Sequence, residues 1–274
     1  MEGYKIRKVL NNNVVIAEED AEELILVGKG IGFDFGKSGV IPKDRVENVF
    51  IKKTSKIGEN YQKVLKNIES SIVGISEEII NYAEKELKVK LNEAIHISLP
   101  DHISFALNRI NKGVNIENPF KSELNALYPV EYRISVEAVE AINKRFNINF
   151  PEDEAGFICL HIRAALTKKE VSESLAYTKK IGQVMELIQR LTGKKLEKSS
   201  LAYIRTMNHI NFMIERVEKG KPIKNDLLES IKTGLAAQYS VGIKIAMKIE
   251  DLFSITIPED EIGYIALHIK RLVE

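Results

Sequence analysis

This sequence has only one cysteine, and it lacks long apolar runs and an excess of charge of one sign. A single cysteine, Cys159, excludes an internal disulfide, and its apolar neighbours predict that the thiol is buried. No apolar run approaches the roughly 18 residues that a membrane-spanning helix needs. The first ten residues, MEGYKIRKVL, do not have the pattern of a signal peptide. We therefore expect a cytoplasmic protein.

The charge balance excludes a global electrostatic attraction to nucleic acid or membrane. Forty lysines and arginines face 39 acidic residues, which leaves a net charge of +1. Any site for a polyanion must then be a local basic patch. The 274 residues suggest two or three domains, because a typical domain has about 150 residues.

The chain contains the same short segment twice. PEDEAGFICLHI (151–162) and PEDEIGYIALHI (258–269) are identical at nine of twelve positions and lie 107 residues apart. At the same offset, DHISFALNRINKG (101–113) aligns with NHINFMIERVEKG (208–220). The chain therefore carries a tandem duplication of units of about 105 residues.

Each repeated unit is predicted to be helical. SIVGISEEIINYAEKELKVK (71–90) has apolar residues at about 3.6-residue spacing, and other segments of both units follow the same period. Gly113 and Gly220 follow lysines and suit helix C-termini. Pro151 and Pro258, each followed by Glu-Asp-Glu, suit helix starts. Two homologous all-α helical-bundle domains are expected.

The first 55 or so residues differ in kind. Short β-branched runs, VVIA (14–17), ELILV (23–27) and VENVFIKK (46–53), alternate with turn sequences. Frequent glycines leave little room for helices. We predict a small all-β domain, an antiparallel sheet of four strands, that dimerises because so small a sheet buries little surface. The polar segment KKTSKIGEN (52–60) is the expected linker.

Four histidines repeat in register. They lie 59 residues apart within each unit and 107 apart between units, at His102, His161, His209 and His268. A lone histidine in an apolar helix is often a core residue, but leucine or methionine would serve packing equally well. Repetition therefore favours a role for the ring nitrogen, which can take a proton, a metal or a phosphoryl group. His96 has Tyr203 at its offset position, and we interpret it as an ordinary, partly buried histidine.

A metal site is one alternative for these histidines. Glu154 and Glu261 stand seven residues before His161 and His268, on about the same helix face, so each unit has two histidines and a carboxylate that are conceivable metal ligands. However, no HxxxH, HxxE or CxxC pattern occurs, and no phosphate loop or nucleophile elbow accompanies the histidines. We expect no metal, no cofactor, no catalytic residue and no enzymatic activity.

Phosphorylation on nitrogen fits the surrounding residues better. Arg109 and Arg216 lie seven residues after His102 and His209, two helical turns along the same face. A guanidinium there can hold a phosphate through paired hydrogen bonds. The alternative is that these two arginines only pair with surface acids.

The N-terminal sheet has a locally basic surface. Outside the acidic segment EEDAEE (18–23), residues 1–56 carry ten basic and four acidic side chains. Three asparagines (11–13) follow Lys8, and GKGIGF (28–33) places a lysine between glycines and near a phenylalanine. Asparagines can read base edges, lysines hold phosphates, glycines admit a close backbone and an aromatic ring stacks on an unpaired base. This combination favours RNA binding; a plain hairpin-rich interaction module is the alternative.

These motifs resemble those of a known family. KVLNNNVVIA, LILVGKGIGF, LPDHISFALNR and PEDEAGFICLHI resemble the BglG/SacY/LicT family of transcriptional antiterminators, in particular its glucose-type (GlcT) branch. The resemblance covers nearly the whole chain. It implies a co-antiterminator RNA-binding domain at 1–56 and two phosphotransferase-system regulation domains, at 65–171 and 172–274.

The resemblance also implies a function. Such a protein binds an mRNA leader hairpin as a homodimer and prevents the terminator from forming in a sugar-uptake operon, here with glucose as the expected sugar. The matching RNA contacts are Lys8, Asn11, Asn13, Gly28, Lys29, Gly30 and Phe33. Lys29 stands where the family often has arginine, which keeps the charge but loses the planar fork.

The four histidines match the family's phosphorylation sites. The IIB domain of the sugar permease is the implied phospho-donor for the first unit, with an inhibitory effect, and HPr is the implied donor for the second. Two other classes stay open. One is a DNA-binding activator with the same regulatory domains, which requires a helix-turn-helix region. The other is a metal-dependent enzyme that uses the histidines.

Overall fold

The structure, a computed structural model, describes residues 3–10, 12–19, 22–28, 30–36, 39–46, 48–51, 67–114, 116–221 and 223–273. The predicted linker at 52–60 lies outside these ranges. The contacts divide the chain into two units, Met1–Asn118 with Val130–Val171, and Pro119–Pro129 with Ser172–Glu274. None of the described helices is both long and apolar enough to cross a membrane.

The N-terminal part is the predicted antiparallel sheet. Its strands are β1 (Gly3–Val9), β2 (Val14–Glu19), β3 (Glu22–Val27), β4 (Val40–Pro42) and β5 (Asn48–Ile51). Their order is β4-β1-β2-β3-β5, and every neighbouring pair is antiparallel. The small antiparallel all-β domain is thus confirmed, and the three-residue edge strand β4 brings the described strands to five where four were expected.

One short helix was not anticipated among the glycines. Helix α1 (Ile31–Phe35) begins after Gly30, whose φ of 72° lies in the left-handed region. The Gly30 carbonyl accepts hydrogen bonds from the backbone N–H groups of Phe33 at 3.0 Å and Asp34 at 2.8 Å. Glycine adopts this conformation without the steric cost of a Cβ atom. A glycine expected to interrupt helices is therefore the residue that starts this one.

Strand alternation gives the sheet two apolar faces. In the pairing of β2 with β3, Val15 lies opposite Leu26 and Ala17 opposite Leu24, all on one face. That face, with residues of β1, β4 and α1, forms a buried cluster of Tyr4, Val15, Ala17, Leu24, Leu26, Ile31 and Ile41. Val14, Ile25 and Val27 point to the other face. They form a second buried cluster with Val73, which lies outside the sheet.

The described residues from 67 onward are mostly helical, which confirms the predicted fold class. The first repeat contributes α2 (Ser70–Leu87), α3 (Ile95–Asn111), α4 (Lys121–Leu127), α5 (Pro129–Phe146) and α6 (Asp153–Thr167). The second contributes α7 (Val171–Thr192), α8 (Leu201–Glu218), α9 (Leu228–Gly234), α10 (Ala236–Phe253) and α11 (Glu259–Val273). Gly113 and Gly220, with φ of 74° and 65°, follow α3 and α8 as predicted.

Helix α4 packs with the second unit, although its sequence belongs to the first repeat. The Tyr203 hydroxyl on α8 donates a 2.8 Å hydrogen bond to the Glu123 carboxylate on α4. Lys198 forms an ion pair with the same carboxylate at 2.7 Å. Tyr203 is the residue of the second repeat that corresponds to His96 in the first. Its hydroxyl contacts α4, a helix whose sequence belongs to the first repeat.

His96 is more deeply buried than the sequence suggested. Its Nδ1 atom lies 2.8 Å from Oε2 of Glu77, and both side chains are almost fully excluded from solvent. Burial by itself lowers the pKa of His96. The negative charges of Glu77 and other nearby acids have a larger combined effect in the opposite direction, so the pKa is raised above its ordinary value. The pair joins α2 to α3, the helix that carries His102.

Substitution of His96 by leucine is expected to lower the free energy of unfolding by about 3–5 kcal/mol, because it removes the cation next to a buried carboxylate. Substituting leucine for both His96 and Glu77 should recover part of this loss, since the buried charge then disappears. Urea denaturation followed by circular dichroism measures both effects. Lys248→Ala, which breaks the exposed Lys248–Asp251 pair, is the control and should cost below about 1 kcal/mol. Equal costs for the exposed and the buried pair would contradict this account.

Candidate functional site

The structure brings the two histidines of the first repeat together. His102 lies on α3 and His161 on α6, and their ring centroids are 5.0 Å apart with an interplanar angle of 35°. Both side chains are partly buried. Residues 59 positions apart in sequence are therefore neighbours because the two helices pack against each other.

A buried carboxylate lies between the histidines and the predicted arginine. Oε2 of Glu154 is 3.3 Å from Nε2 of His102, and Oε1 of the same group forms a short ion pair with Arg109. Glu154 is fully buried. The contact with Nε2 lacks hydrogen-bond geometry, and among the described atoms this nitrogen has no hydrogen-bond partner. Nε2 of His102 thus faces a carboxylate oxygen but forms no hydrogen bond with it.

His161 is held in its neutral form. Its Nδ1 atom lies 3.2 Å from the Ser98 hydroxyl. Burial and, to a smaller extent, the neighbouring His102 together lower the pKa of His161 to about 3. The ring is therefore uncharged at neutral pH, which leaves one nitrogen lone pair available for a bond to an electrophile.

The second repeat reproduces this skeleton. His209 on α8 and His268 on α11 lie with ring centroids 3.8 Å apart and an interplanar angle of 31°. Arg216 donates two hydrogen bonds, of 2.8 and 3.2 Å, to the buried carboxylate of Glu261. A cavity of about 560 Å³ opens beside both rings and is lined also by Arg216, Lys219 and Tyr264. A phosphate group has room next to these histidines.

The second pair lies in a more basic environment. Burial, then the charges of Arg216, Arg271 and Arg205, lowers the pKa of His209. Burial, then His209 and Arg271, lowers the pKa of His268 to about 4. At the offset of 107 residues, Arg205 and Arg271 correspond to Ser98 and Ala164 in the first repeat. The two sites share one geometry but differ by two positive charges.

The predicted phosphate-contact arginines both engage carboxylates. Arg109 binds Glu154 and Arg216 binds Glu261, and these acids are buried rather than on the surface. Within the residues that the structure describes, no group of three or more histidine, cysteine or acidic side chains is arranged to hold a metal ion. Arg216 lines the cavity, whereas Arg109 is nearly enclosed. The arrangement supplies neutral imidazole nitrogens next to fixed positive charge, which suits transfer of an anionic group to nitrogen.

The predicted RNA contacts cluster where two loops of the sheet domain meet. The backbone N–H of Gly28 donates to the Asn13 carbonyl, and that of Gly30 donates to the Asn13 side-chain oxygen, each at 2.9 Å. Phe33 follows on α1 and is 78% exposed. Lys8 is exposed on β1, and its side chain forms no hydrogen bond or ion pair with the described residues of this cluster. Asn11 and Lys29 lie outside the described residues.

Sequence reasoning missed three residues of the histidine sites. Ser98, Arg205 and Arg271 were not singled out, although they contact or electrostatically influence the histidines. The repeat offset contained a signal for the two arginines, because positions where paired units differ in charge can mark separate roles. Nothing in the sequence indicated that Ser98 would lie beside His161.

Models of two domain families match the chain. The CAT RNA binding domain matches residues 4–59, and the PRD domain matches twice, at residues 77–165 and 182–272. Together they cover all of the predicted RNA contacts and all four histidines.

Full-length relatives and one solved structure are similar to the chain. The transcription antiterminator LicT of Bacillus subtilis (strain 168) is 33% identical, over 98% of this chain and 99% of the relative. The PtsGHI operon antiterminator of the same strain is 36% identical, over 98% and 97%. The crystal structure of GlcT CAT-PRDI is 41% identical, covers 61% of this chain and 99% of its own, and has a TM-score of 0.52.

The low pKa of His161 predicts an acid-sensitive stability. The folded chain holds this pKa near 3, against 6.5 for an ordinary histidine, so below about pH 6.5 the unfolded state binds more protons and stability falls. Relative to the wild type, His161→Gln should therefore gain thermal stability as the pH drops from about 7.5 to about 5.

His96→Gln provides a control of opposite sign. The raised pKa of His96 stabilises the folded wild type as pH falls, so this variant should lose stability relative to the wild type over the same interval. Calorimetry of the three proteins at both pH values measures the differences. A His161→Gln curve parallel to that of the wild type would mean that the imidazole is not held neutral.

Proposed function

The chain belongs to the BglG/SacY/LicT family of transcription antiterminators, which join a CAT RNA binding domain to two PRD domains, and on this premise we propose how its sites work. The sheet domain binds, as a homodimer, a hairpin in an mRNA leader and keeps the overlapping terminator from forming. The operon encodes sugar uptake, with glucose as the proposed sugar, and the protein acts in the cytoplasm where such transcripts arise. It accepts phosphoryl groups without being an enzyme.

The loop cluster of the sheet domain supports the RNA-binding part of the proposal. Gly30 brings the backbone close to the surface without a side chain, and the exposed ring of Phe33 suits stacking on an unpaired base. Lys8, Lys29 and Asn11 would add phosphate and base-edge contacts. The described residues before 52 form a sheet with one α-helix of five residues and one 3-10 turn of three. They contain no helix-turn-helix, which a DNA-binding activator would require.

The observation that carries regulation is the close pairing of two histidine rings in both repeats. A ring nitrogen with a free lone pair can form the N–P bond while the bond to the donor's leaving group breaks. The phosphoryl group then adds about −1.5 to −2 charges at the site. The IIB domain of the sugar permease is the proposed donor to His102 and His161, and HPr the proposed donor to His209 and His268.

The same added charge should act differently in the two repeats. Next to His102 it meets the buried carboxylate of Glu154, whose only close cation in the described contacts is the nearly enclosed Arg109. Repulsion of this kind loosens the packing of α3 on α6. In the second repeat, Arg205 and Arg271 add positive charge that attracts a phosphate. Inhibition by the first repeat and activation by the second follow from this difference.

The domain limits proposed are 1–56 for RNA binding, 65–171 for the first regulation domain and 172–274 for the second. Helix α4 lies inside the middle range but packs with the second unit.

Phe33→Ala should weaken binding to the hairpin of the protein's own operon by about fivefold to a hundredfold, since base–aromatic stacking contributes about 1–3 kcal/mol. Fluorescence anisotropy with the full chain at fixed salt measures the affinity. Phe105→Ala, which removes another exposed phenylalanine, on α3, is the control and should bind normally. Equal loss in both variants, or equal binding of a scrambled hairpin, would remove Phe33 or RNA recognition from the proposal.

Replacement of His102 and His161 by alanine together should give read-through without sugar, because the inhibitory phosphoryl group has no acceptor. A reporter gene placed after the leader and its terminator measures read-through with and without glucose. The corresponding double substitution of His209 and His268 is the control and should not give constitutive read-through. Retained sugar control in the first variant would contradict an inhibitory first repeat.

A further inference from the structure

Helix α2 buries a residue that is proposed to contact RNA. The Asn13 side chain is only 4% exposed. Its amide nitrogen lies 3.4 Å from the Gly74 carbonyl and 3.3 Å from Oε1 of Glu78, both on α2. Its oxygen already accepts the hydrogen bond from Gly30. In this conformation the Asn13 amide is directed at the regulation domain and has no access to a base edge.

The contact continues over the apolar face of the sheet. Val73, also on α2, is completely buried in one cluster with Val14, Ile25 and Val27. Leu10, Ile68 and Ile97 pack around this cluster. Burial of aliphatic side chains stabilises such a contact by about 25 cal/mol per Å² of apolar surface. The sheet domain is thus held on α2 by an apolar patch with the Asn13 hydrogen bonds at its edge.

The acidic side chain of Glu78 lies next to the proposed RNA-binding residues. Glu78 is held by Arg145 of α5 through hydrogen bonds of 2.8 and 2.9 Å. It lines a cleft of about 990 Å³ together with Asn12, Asn13, Gly30 and Phe33. A carboxylate so close to the predicted RNA contacts repels phosphates. Phe33 nevertheless remains exposed, so the loops are covered on one side only.

We propose that the contact of α2 with the sheet domain is autoinhibitory: Glu78 and the Gly74 carbonyl compete with RNA for Asn13, and the RNA hairpin binds only after the sheet separates from α2. This proposal rests on the proposed RNA-binding function. Only the fraction of molecules in which the sheet is released from α2 can bind RNA. The apparent dissociation constant for RNA is therefore the dissociation constant of the released form divided by that fraction. Weakening the contact therefore tightens RNA binding without changing any atom of the RNA-binding loops.

The chain offers a matched pair of variants for the test. Glu78 and Glu86 are both half-exposed carboxylates on α2, and each is bound by an arginine of α5, Arg145 and Arg133 respectively. Only Glu78 reaches Asn13. Glu78→Ala should lower the dissociation constant of the full chain for its leader hairpin by about fivefold, the equivalent of one lost hydrogen bond. Glu86→Ala should leave it unchanged.

A second variant separates release of the sheet from a simple change in charge. Val73→Thr keeps the shape and charge of α2 but buries a hydroxyl against the sheet, which should also tighten RNA binding by about fivefold. Anisotropy titrations at low and high salt are the readout, because an effect of charge alone shrinks with salt whereas release of the sheet does not.

The outcomes are distinct. Tighter binding in both Glu78→Ala and Val73→Thr at both salt concentrations supports autoinhibition. Unchanged binding in Val73→Thr, or a gain in Glu78→Ala that vanishes at high salt, overturns it. Weaker binding in either variant also overturns it and would show that α2, with Lys85 and Lys88 in the same cleft, helps to hold the RNA. If the wild type does not distinguish its own hairpin from a scrambled one, the proposed RNA function fails instead.

Discussion

In each repeat, an ion pair between an arginine and a buried glutamate joins two helices and sets the geometry of the paired histidines. In the first repeat, Arg109 lies seven residues after His102 on α3, and Glu154 lies seven residues before His161 on α6. The Arg109–Glu154 pair therefore places two turns of each helix in antiparallel register, which brings the histidine rings to 5.0 Å. Glu154 is also in the first turn of α6, where the helix dipole favours a carboxylate. Loss of either partner would leave a buried charge behind, so this register is strongly specified.

The second repeat keeps the skeleton of the first histidine site in a different electrostatic environment. Arg216 and Glu261 repeat the register, and the rings of His209 and His268 lie 3.8 Å apart. The surrounding charge is different, because Arg205 and Arg271 replace a serine and an alanine. The duplication thus preserved the residues that position the histidine nitrogens and changed the charged residues around them. Under the proposed function, these surrounding charges decide whether a phosphoryl group is repelled or attracted.

The sheet domain has both an apolar face that must be buried and loops that carry the proposed RNA contacts. Its face with Val14, Ile25 and Val27 is too apolar to be left in water, and in this structure Val73 of α2 covers it. The loops at the same end carry Asn13 and Phe33, one buried and one exposed. Val73 lies on α2 in the first repeat, so the helix that buries this apolar face also buries Asn13.

The sequence by itself determined the duplication, the helical class of both repeats, the small antiparallel sheet and the helix ends at Gly113 and Gly220. These are local or periodic properties, and the spacing of apolar residues and the backbone preferences of glycine and proline carry them. The resemblance in motifs identified the family for the same reason, since its motifs are short and contiguous. Even the seven-residue spacing of arginine and glutamate from the histidines was visible.

Only the tertiary structure decided which partners these residues meet. Arg109 and Glu154 were each noticed, but periodicity shows which side of a helix is apolar and not which helix covers it. The same limit hid the buried Glu77–His96 pair, the packing of α4 with the second unit and the burial of Asn13 under α2. Such contacts join residues 19 to 80 positions apart. They form only when distant chain segments pack together, and the local sequence of one segment does not indicate which other segment it will contact.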